Sequence, residues 1–169
     1  LAELARRDPD VRLADAAAAL LTATARRTRA AIKRLPEGSW SFEDVLDGDG
    51  VVDVPVRIAL TLRLRDGRAR FDWTRSAPQT RGPVNAVRAV VTAASLYALR
   101  CALGEEVAVN DGLLRCIEVA TRPGSVLDPL PPAAVGAGNV ETSQRLVDVA
   151  FGAFARALPG RIPAASSGT

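Results

Sequence analysis

Two periodicities alternate along this chain. From Val11 to Leu35, apolar and small side chains recur at Leu13, Ala17, Leu20, Leu21, Thr24, Thr28 and Ile32, with arginines clustered on the other side. That spacing of three and four predicts a long amphipathic helix. Asp8 and Pro9 suit its cap and first turn, because the carboxylate accepts an orphan amide and proline has none to satisfy; Pro36 and Gly38 stop it. Between Ser39 and Thr74 the period falls to two: Trp40 and Phe42, then Val54, Val56, Ile58, Leu60, Leu62 and Leu64, then Phe71 and Trp73. The alternation predicts antiparallel strands, turned at Asp47-Gly48-Asp49-Gly50 and at Asp66-Gly67, where glycine accepts positive φ and aspartate bonds its local backbone.

Helical spacing returns from Pro83 to Leu103, with Val84, Val87, Val91, Ala94 and Leu99 near one face. The stretch from Gly104 to Gly138 holds a single short strand candidate, Leu113 to Val119, and then Pro123, Pro129, Pro131 and Pro132, which forbid a long helix or a central strand. A last helix is expected from about Glu141 to Leu158, where Val140, Val147, Ala150, Phe151, Phe154 and Leu158 repeat at three and four before Pro159 and Gly160. With no internal repeat or linker, the whole reads as one unit of class α+β: an antiparallel β-meander with three main helices and a proline-rich irregular segment.

Composition adds that the unit has a packed core, since 48% of residues are hydrophobic and 24% charged. The chain opens at Leu1 with a helical pattern already under way and closes on Ala164–Thr169 without a recognisable tail. Residues 1–169 are therefore expected to be an internal fragment of a larger subunit. No apolar run reaches membrane-spanning length and no basic-then-apolar leader is seen, so the expected compartment is cytoplasmic, with no membrane partner. Cys101 and Cys116 fall in a helix and a strand candidate, which suggests buried thiols rather than a disulfide framework. The net charge of +3 is small, and Lys33 is the only lysine, so nucleic acid is not an expected partner.

The absence of histidine removes the commonest general base and transition-metal ligand, and no glycine-rich phosphate loop occurs. Asp44, Asp47, Asp49 and Asp53 lack the spacing of a twelve-residue calcium loop and read as turn formers. Arg63, Arg65, Arg68 and Arg70 read as a charged solvent face that discourages edge-to-edge pairing. More informative are polar residues set among glycine and proline: 76–79, 82–85, 109–112 and 138–143. Each lies beside a tight turn or helix start, where fixed amides and carboxamides can orient a small polar substrate. Each can equally serve its own backbone, with Asn85 or Asn139 on helix-start amides and Glu141 with Thr142 closing a first turn.

These segments together resemble the hydantoinase B/oxoprolinase family. The resemblance lies in ordered phrases: PEGSWSFEDVLDGDG at 36–50, FDWTRSAPQTRGPVN at 71–85, VNDGLLRCIEV at 109–119, PGSVLDPLPPAAV at 123–135 and GNVETSQRLVDVAFGAFARALP at 138–159, followed by PAASSGT. Arg75 stands where the family often has glycine, and Ala108 where it often has proline. The resemblance implies ATP-dependent opening of a hydantoin or lactam ring, with a hydantoinase A-type partner phosphorylating the cyclic amide. A related subunit of ketone carboxylases and a non-catalytic assembly segment are the alternatives. ATP belongs to the partner and a divalent metal to a segment upstream, so no cofactor is expected within these residues. Polar placement and the family phrases together nominate Asp72, Ser76, Gln79, Asn85, Asn110 and Asn139 as substrate-binding, with no nucleophile or base assigned.

Overall fold

The computed structural model describes Glu3, Arg6 and residues 12–104 and 107–165. Alternation in the middle of the chain produces β1 (Gly38–Leu46), β2 (Val56–Arg65) and β3 (Arg68–Asp72), paired antiparallel in sequence. The turn between β2 and β3 is made by Asp66 at φ 51° and Gly67 at φ 71°, the left-handed pair that matches the twist of a tight hairpin. Register puts Trp40 opposite Leu62, Phe42 opposite Leu60, and Leu62 opposite Phe71, so one face of the sheet is apolar. The other face pairs Arg63 with Arg70, and Ser41 with Thr61 through their hydroxyls at 3.0 Å.

A fourth strand, β4 (Ile117–Ala120), joins β3 in parallel, with Phe71 opposite Val119. The sheet runs β1-β2-β3-β4 and is mixed, mostly antiparallel, which corrects the wholly antiparallel expectation. A parallel neighbour requires a long crossover, and residues 73–116 supply it. The strand candidate Leu113–Val119 is also corrected. Leu113 and Leu114 end a short helix that starts where the Asn110 side chain accepts from Gly112 N at 2.9 Å, and the strand begins only at Ile117.

Four helices are described: α1 (Leu13–Ile32), α2 (Arg88–Leu103), α3 (Asp111–Leu114) and α4 (Ser143–Ala157). The architecture is accordingly mixed α/β. The expected caps Asp8 and Pro9 lie outside the described residues; Arg12 takes the N-cap position of α1. Only the C-terminal half of α1 is covered, burying Thr24, Thr28, Ala31 and Ile32, while Leu20 is 57% exposed. Helix α2 starts later than Pro83, since Ala86 N donates to Val126 O at 2.7 Å and holds the preceding residues extended up to Val87 at ψ 153°. Helix α4 is entered through a π-helical turn, Gly138–Thr142.

The core lies between the apolar sheet face and α4, where Phe71 and Phe154 meet edge-on at 6.1 Å. Phe71, Trp73, Leu62, Leu99, Leu146 and Phe154 are fully buried. Gly152 lets α4 settle on the ring of Phe42, whose other contact is the Arg156 guanidinium 5.1 Å from the ring centroid. Helix α2 packs on α4 from the far side, and α3 packs on α1. Both cysteines are free: Cys116 is buried with its thiol donating to Ala25 O at 3.2 Å, but Cys101 is exposed, contrary to the sequence expectation. It occupies an outward position on α2. Among the described residues no helix is long and apolar enough to cross a membrane.

Candidate functional site

The loops that follow β3 are sewn to the proline-rich stretch, and most of the nominated side chains do the sewing. Asp72, at the end of β3, accepts from the Thr74 amide at 3.2 Å and the Thr74 hydroxyl at 2.6 Å, with Arg70 at 3.6 Å. Burial pushes its carboxyl up, but the Thr74 bonds and the Arg70 charge outweigh this and hold it below the ordinary carboxylate value. Ser76 is buried against β2, its hydroxyl accepting from Ala59 N at 3.1 Å and donating to Ala59 O at 3.3 Å. Arg122 then clamps the turn by donating to Thr74 O and Ser76 O.

Gln79 works as a substitute strand residue: its carboxamide donates to Leu130 O at 3.3 Å and accepts from Leu130 N at 2.7 Å. Asn85 is fully buried and ties its own loop to the stretch at residue 134. Its amide nitrogen donates to Thr80 O, Gly82 O and Ala134 O at 3.0, 3.1 and 2.8 Å, and its oxygen accepts from Thr80 N at 2.8 Å. Asp49 reaches the same knot from the β1–β2 turn. It accepts from Val51 N, Val52 N and Gly82 N at 2.8, 2.6 and 2.9 Å. The Val52 amide, with Gly82 and Val51, holds its carboxyl below the usual range.

This knot fixes the π turn. Ala137 N donates to Pro83 O, the Thr142 hydroxyl donates to Val84 O, and Gly138 packs so closely on the Asn85 carbonyl that a Cβ there would collide with it. A π turn holds an extra residue, and the Ser143 hydroxyl donates to Asn139 O and Val140 O at 2.9 and 3.0 Å. Asn139 itself is exposed and lines a cleft of about 740 Å³ between α2 and α4. The cleft walls include Tyr97, Val147 and Phe151, with Ser143, Gln144 and Asp148 as further polar residues.

The structure thus brings Asp72, Ser76, Gln79 and Asn85 into one loop cluster beyond the end of β3, engaged with neighbouring backbone or side chains, and sets Asn139 on the turn that the cluster holds. Asn110 lies apart, donating to Thr24 Oγ1 at 3.0 Å and tying α3 to α1. Sequence reasoning missed the cleft. The one sequence signal was Tyr97, which lies off the face of Val84, Val87, Val91, Ala94 and Leu99 and is 53% exposed. It also missed the reach of Asp49, whose turn role was expected but whose bond to Gly82 is long-range. Among the described residues no group of three or more histidine, cysteine, aspartate or glutamate side chains is placed to hold a metal ion. The divalent metal implied by the resemblance finds no fitting donor set here, and no chemical step is assigned to one.

The ordered loop phrases that build this cluster find their counterpart in the family model for hydantoinase B/oxoprolinase, which matches residues 1–169. The chain belongs to the hydantoinase B/oxoprolinase family. Among its relatives, 5-oxoprolinase 1 of Arabidopsis thaliana is 41% identical over 112 residues, 66% of this chain and 8% of that protein. The crystal structure of an ATP-dependent caprolactamase from Pseudomonas jessenii superposes with a TM-score of 0.83 at 22% identity, over 94% of this chain and 28% of the other. A nucleotide-free acetone carboxylase structure gives a TM-score of 0.67 at 16% identity, over 79% of this chain and 19% of the other. At those identities the two solved structures establish the fold. This family member therefore spans a minor part of the length of the proteins it resembles.

Proposed function

We propose that these residues form one structural unit of an ATP-dependent cyclic amide hydrolase that opens a hydantoin or lactam ring together with a hydantoinase A-type subunit or domain. The observation that carries this reading is the family match along the whole chain, supported by relatives named 5-oxoprolinase and by the fold shared with a caprolactamase. An unstrained amide is a weak electrophile with a poor leaving group, so activation by ATP in the partner is chemically apt. The present unit would then orient the activated ring. Asn139, exposed on a turn that cannot slide, is the side chain best placed to bond a substrate carbonyl or N–H. Asp72, Ser76, Gln79 and Asn85 act behind it, holding the loops, and Asn110 holds α3 on α1. ATP belongs to the partner and the metal to another part of the subunit; the compartment is the cytoplasm.

The test is the full-length subunit mixed with its hydantoinase A-type partner, ATP and a cyclic amide, reading ring-opened product and phosphate. Asn139→Ala should lower kcat/KM about tenfold, the size of one lost neutral hydrogen bond, without moving the melting temperature. Wild-type turnover in that variant removes Asn139 from the site. A second reading, ketone carboxylation, is favoured by the fold shared with acetone carboxylase; bicarbonate-dependent ketone consumption in the same assay would select it.

A further inference from the structure

We propose that the recess on the outer face of β1 and β2 binds a small ω-amino acid as a zwitterion. The site rests on its own groups and needs nothing from the reaction proposed above, although a lactam opened by water yields a molecule of this class.

The recess has a volume of about 200 Å³ and lies at the border of the sheet, where β1 has no further strand beside it among the described residues. Alternation turns Ser41, Glu43, Ala59 and Thr61 away from the core, and the Ser41 and Thr61 hydroxyls meet at 3.0 Å on the floor. One wall is the segment after β3, which continues beside β2. Ala77 N donates to Arg57 O at 2.9 Å, the Ser76 hydroxyl holds Ala59, and Arg75 O accepts from Arg57 Nη2 at 2.7 Å. The backbone that carries Arg75 is therefore fixed, yet its guanidinium has no acidic partner among the described residues. The other wall comes from α4. Arg156 lies over the Phe42 ring and donates from Nη1 to Ser41 O. A guanidinium carries several N–H groups, so this pinned fork keeps donors for a ligand oxygen and has little rotamer freedom left to lose on binding.

Charge decides the class of ligand. The arginines alone would suit any oxyanion. Glu43 alters this, because its carboxylate lines the same recess, where it repels a phosphate and attracts an ammonium group. Its own partner, Arg57, is 3.6 Å away with both side chains about half exposed, a contact weak enough to share. Spacing then sets the length. Ser41, whose carbonyl anchors Arg156, and Glu43 occupy alternate positions of one strand, about 7 Å apart at ~3.4 Å per residue. An α-amino acid holds both charges on one carbon and spans that interval poorly. A chain whose amine lies several carbons from its carboxylate reaches from the guanidiniums to Glu43.

The experiment is a ligand-observed NMR titration of the full-length subunit with 4-aminobutanoate, butanoate, butylammonium and inorganic phosphate. Turnover is not part of the readout, so failure of this site and failure of the ring-opening reading are distinguishable. Exposed charge contacts predict millimolar affinity, with 4-aminobutanoate about tenfold or more tighter than the other probes. Arg75→Gln should weaken it about tenfold with no change in melting temperature, because that side chain has no acidic partner to lose. Glu43→Gln should bring 4-aminobutanoate level with butanoate, and should itself tighten butanoate. No binding at millimolar concentrations, another probe binding as tightly as 4-aminobutanoate, or affinities unchanged in both variants would each overturn the proposal. If Arg75→Gln fails to fold, Glu43→Gln decides alone.

Discussion

Replacing Asn85 should loosen the molecule more than replacing any other polar residue, and the size of the effect follows from its bonds. Asn85→Ala removes the partner of Thr80 N, Thr80 O, Gly82 O and Ala134 O together. Gly82 O keeps the Thr80 hydroxyl at 3.3 Å, and Ala134 is exposed enough for water to replace its lost donor. Two groups of Thr80 remain the principal losses. Thr80 is only half-buried, so at the lower end of ~1–3 kcal/mol for each stranded group the expected cost is about 2 kcal/mol. Asn85→Asp should be worse at neutral pH, because it points a carboxylate at three carbonyl oxygens. Facing them, that carboxyl would have a raised folded pKa, so its penalty is present above that value and shrinks as protonation restores a donor. Urea unfolding of the chain, followed by the fluorescence of Trp40 and fully buried Trp73, measures both. A loss under about 1 kcal/mol for Asn85→Ala, or an Asn85→Asp variant no weaker than it at pH 7, would refute the account of this knot.

Two further outcomes test other parts of the fold. Gly152→Ala presses a methyl into the ring of Phe42, and should cost about 1–3 kcal/mol in the same titration; restoration by the double change with Phe42→Leu would confirm that crowding is the cause. Asp49 has its folded pKa below the ordinary 3.8, so its contribution is complete above 3.8 and is lost as pH falls through the lower folded value. Asp49→Asn should therefore flatten the acid limb of the stability–pH curve relative to wild type, and two parallel limbs would contradict this assignment.

The elements best read from sequence are those whose partners lie close in the chain. Val56 to Leu64 alternate strictly, Asp66-Gly67 marks the hairpin, and both survive unchanged in β2 and β3. Errors arise where distant bonds override local pattern. Pro83 to Ala86 has a helix-like apolar spacing, yet Ala86 N is claimed by Val126 O, forty residues away in sequence. Thr24 and Thr28 look like the weak part of an amphipathic stripe and are its buried part, because Asn110 and the α1 backbone take their hydroxyls. The polar phrases were legible as a group, but the division of labour among them was not. Gln79 and Asn85 face backbone from residues 130 and 134, and nothing within their own segments announces that.

The parallel neighbour of β3 carries a consequence for how the protein is made. Synthesis proceeds from the N-terminus, so the hairpins formed by residues 38–72 are complete well before residue 117 leaves the ribosome. Until β4 arrives, the Ala69 amide lacks the Cys116 carbonyl, the Trp73 amide lacks that of Ala120, and the nascent sheet has an open border available to any extended chain nearby. The arginines beside that border would hold such strangers off during the wait.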